Sequence, residues 1–84
     1  MSDTLANLVK MANQIGSFFE TMQDHDKALA DIAKHLKNFW APPMRRALLA
    51  HVEQEGGSDL RPIVLEAVKR HQDTLMPAAK LVSN

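Results

Sequence analysis

The chain contains no cysteine. No disulfide can staple it, and no thiolate is available for a structural zinc site or an iron–sulfur cluster. It has no apolar run close to the ~20 residues that a membrane-spanning helix needs. Its opening residues, MSDTLANLVK, are polar and acidic where a secretion signal requires a cationic start and an apolar block. A cytoplasmic protein with no membrane partner is expected. Charge of one sign is also missing, because 10 Lys and Arg balance 10 Asp and Glu. Nonspecific binding to nucleic acid depends on a cationic surplus, so no nucleic-acid partner is expected.

Catalytic signatures are absent in the same way. There is no GxGxxG, no Walker A loop, no HExxH and no GxSxG elbow. The four histidines, His25, His35, His51 and His71, include no i, i+4 pair. A zinc site would need side chains from separate helices, such as His35 and His51, to converge. No catalytic, cofactor-binding or metal-binding residue is assigned, and the chain is not expected to be an enzyme on its own. At 84 residues it is read as a single domain that buries only about 60–65% of its unfolded surface. Chains of this size often complete their core by docking onto another protein.

What is present is helical periodicity. Leu5, Leu8, Ala12, Ile15, Phe19 and Met22 recur at alternating steps of three and four, which draws one apolar stripe along a helix. Val9, Met11 and Phe18 widen the stripe, so this helix is expected to touch more than one neighbour. Ser2 or Asp3 is placed as its N-cap. Gly16 lies inside the pattern and is either a tolerated weakness of about 1 kcal/mol or a point of close approach. Asn13 and Gln14 flank the stripe, either solvated or available to hydrogen-bond a partner's backbone. Asp24 or Asp26 can cap a second helix, whose stripe is Leu29, Ile32, Leu36 and Phe39. A third helix carries Met44, Leu48 and Val52 and stops at Gly56-Gly57. A fourth, capped by Ser58 or Asp59, carries Leu60, Ile63, Val64, Ala67, Val68 and His71. The expectation is an all-α domain of about four helices, at 3–22, 25–40, 43–55 and 60–73, with a tail at 77–84 that is either flexible or adds a short turn.

The densest chemistry lies at the corner between helices two and three. Proline disfavours the helical region in the residue before it, so Ala41 and Pro42 are expected to be extended, with Pro43 opening the next helix. Phe39 and Trp40 precede the prolines, and Met44, Arg45 and Arg46 follow them. Trp, Phe, Met and Arg are the residues enriched at protein interfaces. Trp40 serves either as core or as interface. The two arginines sit in the first turn of a helix, where the dipole disfavours cations. Asp31 or Glu66 could pair with them internally; otherwise they are solvated or face a partner. Asn13, Gln14, Phe39, Trp40, Pro42, Pro43, Met44, Arg45 and Arg46 are the candidate partner-binding residues. Self-association of the isolated chain through the wide first helix is the alternative.

The segments LVKMANQIGSFF at 8–19 and IAKHLKNFWAPPMRRALLAHV at 32–52, followed by the glycine pair at 56–57, resemble the delta subunit of NAD-dependent, molybdenum-containing formate dehydrogenases. The likeness extends from Leu8 to Val68, and MANQI and HLKNFWAPPMR are its most specific parts. The corner in that family usually reads Trp, any residue, then Pro-Arg-Met-Arg. Here Pro43 stands in place of the first arginine, Arg45 keeps the second, and Arg46 adds another. The resemblance implies a part in a cytoplasmic complex that oxidises formate to carbon dioxide and reduces NAD. A large subunit there holds a molybdenum bis-pterin cofactor and iron–sulfur clusters, and other subunits hold flavin and the NAD site. The delta subunit is, by this resemblance, a cofactor-free accessory that supports assembly or maturation of the catalytic subunit.

Overall fold

A computed structural model describes residues 4–77. The expected N-cap at Ser2 or Asp3, and the tail from residue 78 onward, lie outside the described residues. Five helices follow one another: α1 (Thr4–Phe19), α2 (His25–Phe39), α3 (Pro42–Glu55), α4 (Pro62–Arg70) and α5 (Gln72–Leu75). Among the described residues there is no strand, and no helix is long and apolar enough to cross a membrane. The fold is an all-α globule, as the periodicity predicts, with the fifth helix a single short turn.

Helix α2 is central and packs against α1, α4 and α5. Its Leu29, Ile32 and Leu36 are fully buried beside Ala28 and Ala33. Helix α4 supplies Ile63, Val64, Ala67 and Val68, and α5 closes the core with Leu75. The wide stripe of α1 meets α2, α3 and α4. Gly16 is the point of close approach: a methyl group there would collide with Val64 Cγ2 and come within 3.4 Å of Ile63 Cγ2.

The ends of the helices depart from expectation in instructive ways. Helix α1 stops at Phe19 rather than residue 22, because Met22 N–H turns back to the Phe19 carbonyl (3.0 Å) and the Thr21 hydroxyl donates to the Phe18 carbonyl (3.1 Å). Asp24 caps α2, its carboxylate accepting the Lys27 N–H at 3.1 Å. Helix α3 begins one residue early, with Ala41 extended and Pro42 already helical. The first N–H groups of a helix have no partner within it, so two successive prolines there forfeit no hydrogen bond. Gly56 and Gly57 both adopt positive φ (84° and 69°) and end α3, as the glycine pair predicts. Neither Ser58 nor Asp59 caps α4. That helix starts at Pro62 behind Arg61, which has no capping side chain of its own. His71, at φ −111° and ψ 32°, then separates α4 from α5.

Candidate docking groove

The corner separates its two aromatic residues. Trp40 is 5% exposed and belongs to the core, whereas Phe39 is 72% exposed. Trp40 continues the hydrogen bonding of α2 through its N–H to the Leu36 carbonyl (2.9 Å) and turns its ring inward. Burying about 200 Å² of indole at ~25 cal/mol per Å² contributes on the order of 5 kcal/mol before ordering costs. Phe39, one residue earlier on the helix, has no such shelter.

Around these residues runs an open groove of about 510 Å³, with walls from α1, α2 and the start of α3. Of the expected partner-binding residues, Gln14, Phe39, Trp40 and Met44 line it. Met11, Ile15, Phe18, Phe19 and His35 also line it, and they were not among the expected site residues. The signal for them was present: Met11, Gln14, Ile15 and Phe18 follow i, i+3, i+4, i+7 and so share one helical face. Phe18 is 74% exposed. An aromatic run crosses from α1 to α2, with Phe18 and Phe19 edge to face at 5.0 Å, Phe19 and His35 at 6.4 Å, and His35 and Phe39 at 4.8 Å. The groove lining contains no charged carboxylate, Lys or Arg side chain. Exposed apolar surface of this continuity marks interaction sites.

The other expected partner residues have different positions. Pro42, Pro43 and Arg46 are exposed on α3 outside the groove, and Arg46 makes no hydrogen bond or ion pair among the described residues. Arg45 is half-buried. Its Nε donates to the Trp40 carbonyl (3.3 Å) and a terminal nitrogen donates to the Leu75 carbonyl (3.1 Å). A cation at the wrong end of α3 is thereby placed at the carbonyl ends of α2 and α5, where the dipole favours it. The expected pairing of Asp31 or Glu66 with these arginines does not occur: Asp31 meets Lys27 (3.4 Å), and Glu66 meets His25 (2.8 Å) and Arg70 (3.5 Å).

Asn13 does hydrogen-bond backbone, but within its own chain. Its amide nitrogen donates to the Asp59 carbonyl (3.0 Å), and its oxygen accepts the Arg61 N–H (2.8 Å). One amide from α1 thus brackets Leu60 and fixes the entry to α4, doing from a distance what a local cap would do. Asp59 is held on its other side by His51 Nε2 at 2.8 Å. That hydrogen bond, helped by a backbone hydrogen bond at Asp59 itself, holds the Asp59 carboxyl below the usual carboxylate range despite a smaller opposing effect of burial. His51 Nδ1 is buried with no partner among the described residues. His35 lies in the groove wall and His51 against Asp59, so these two histidines serve different places. Among the described residues no three His, Asp or Glu side chains gather as metal ligands would.

The family model for the NADH-dependent formate dehydrogenase delta subunit matches residues 7–68. The chain belongs to the formate dehydrogenase delta-subunit family. The matched residues run from the first turns of α1 through most of α4 and include every wall of the groove. Membership of a subunit family implies a complex with other formate dehydrogenase subunits. Comparison with curated proteins and with solved structures found no match.

Proposed function

We propose that this member of the delta-subunit family is a non-catalytic accessory subunit of a cytoplasmic, NAD-dependent formate dehydrogenase. It docks on the molybdenum-containing catalytic subunit and supports that subunit's assembly, cofactor maturation or stability. The observation that carries this reading is the apolar groove with Phe18 and Phe39 standing out at its rim. A soluble chain with a complete core gains nothing from two exposed phenylalanines unless another surface covers them. Gln14, Phe39, Met44, Pro42, Pro43 and Arg46 are the contact residues in this reading, joined by Met11 and Phe18. Asn13, Trp40 and Arg45 hold the groove and corner in shape. Binding only the assembled form of the catalytic subunit stabilises that form by mass action.

The test is to produce the catalytic subunit with and without this chain. Co-purification, and a fall in formate oxidation when the chain is omitted, are the expected results. Full activity and full cofactor content without it would sink the proposal. The same exposed phenylalanines favour self-association as a second reading. Sedimentation of the isolated chain separates the two, since a dimer that persists in the presence of the catalytic subunit supports self-association and not docking.

A further inference from the structure

Two hollows adjoin the groove, and each holds a lysine without an ion-pair partner among the described residues. Phe19, His35 and Phe39 form a wall shared with a second, smaller hollow, which Lys34 also lines. Gln14 forms a wall shared with another hollow, where Lys10 stands. Both lysines are exposed. Of the acidic side chains nearby, Asp31 lines the same hollow as Lys34 and meets Lys27 at 3.4 Å, and Glu20 meets Arg61 at 2.9 Å. The groove therefore presents an apolar floor with an exposed lysine in each of two adjoining hollows, neither lysine in an ion pair among the described residues.

Its polar capacity is small. Gln14, His35 and the indole N–H of Trp40 are the polar side-chain groups in the lining, and none makes a side-chain hydrogen bond among the described residues. An extended peptide laid there would leave most of its N–H and C=O groups without partners, at substantial desolvation cost. A helix satisfies its own backbone and needs only an apolar stripe to offer. A second copy of this chain meeting the groove face to face would bring its own Lys10 and Lys34 against these, and like charges across an interface oppose association.

We infer that the groove between α1, α2 and α3 takes an amphipathic helix of the catalytic subunit whose apolar stripe is bordered on both sides by acidic residues. This rests on the docking reading above and adds to it the chemistry of the occupant. Apolar side chains at i, i+3 or i+4, and i+7 of that helix lie between Phe18 and Phe39, with Trp40 and Met44 beneath. Carboxylates on its two borders meet Lys10 and Lys34.

A zero-length carbodiimide joins an amine only to a carboxylate in direct contact, so it reads this arrangement in the unmodified complex. Treatment of the complex of this chain with the catalytic subunit is expected to link Lys10 and Lys34 to Asp or Glu residues of one amphipathic helix. Links to a second copy of this chain, or no link at either lysine while the complex stays intact, would overturn the inference. Two variants supply an independent readout. Joint Phe18→Ser and Phe39→Ser substitution, on side chains already exposed, is expected to weaken binding about tenfold or more. Lys10→Glu with Lys34→Glu is expected to weaken it most at low salt, where charge repulsion is least screened. Unchanged binding by both variants overturns the occupant of the groove and leaves the subunit reading standing. Failure of the unsubstituted chain to bind the catalytic subunit at all overturns the subunit reading itself.

Discussion

Gly16 shows how little room one residue has in a thin core. Replacing it with alanine favours the helix by about 1 kcal/mol, yet the new methyl meets the stiff, β-branched Val64. Overpacking of that kind costs about 1–3 kcal/mol, so Gly16→Ala is expected to be destabilising overall, read as a lower urea midpoint. Asn13→Ala removes both hydrogen bonds that bracket Leu60, at about 0.5–1.5 kcal/mol each. Faster amide exchange at Arg61 would accompany the loss. Unchanged exchange there would show that the bracket contributes nothing. Asp59 gives a pH dependence. Its carboxyl is lowered in the fold by the His51 hydrogen bond, so the unfolded chain takes up its proton first as pH falls. The contribution is present above the ordinary carboxylate range and disappears as pH drops through the lower folded value. Asp59 is exposed, so the contribution is small. The stability difference between the unsubstituted chain and Asp59→Asn is expected to shrink as pH falls from above the usual carboxylate range to below it, the direction set by the downward shift.

At the scale of helices, what could be read from the sequence was what depends on near neighbours. The three-and-four spacing of Leu29, Ile32 and Leu36 marked the buried face of α2, and Gly56-Gly57 marked the end of α3, because both are consequences of local geometry. The entry to α4 was not legible. Asn13 supplies it from another helix, and no local signal near Ser58 announces a partner so distant in the chain. Arg45 is a similar case, since its carbonyl acceptors include Leu75, thirty positions away. The groove was half legible: the widened stripe of α1 revealed extra apolar surface, but only the packing shows that Met11 and Phe18 stay exposed while Leu8 and Ala12 are buried. The corner residues can be told apart by stability. Trp40→Ala is expected to cost about 3–5 kcal/mol, read from thermal unfolding. Phe39→Ser, on a side chain already in water, is expected to stay within about 0.5 kcal/mol. A Trp40 substitution is therefore unsuitable for testing docking, and the Phe18 and Phe39 pair is the sound choice.

For the whole molecule, the division of labour is between an inner side built on α2 and an outer side left uncovered. The inner side holds the short chain together without a disulfide. The outer side carries the apolar groove and, beyond it, the exposed Arg46 and Pro42-Pro43 of α3. If docking stabilises the catalytic subunit, its unfolding temperature is expected to rise with the concentration of this chain, by the equivalent of about 2.7 kcal/mol at a hundredfold excess over Kd. A concentration-independent unfolding temperature would argue against the docking role. Trp40 adds a convenience that follows from its position. The chain has one Trp and no Tyr, so its near-ultraviolet emission comes almost wholly from that indole, which lies under the groove and within the core at once. Its spectrum should therefore shift red when the chain denatures and change in intensity when something settles above it, giving a label-free optical titration with no dye attached.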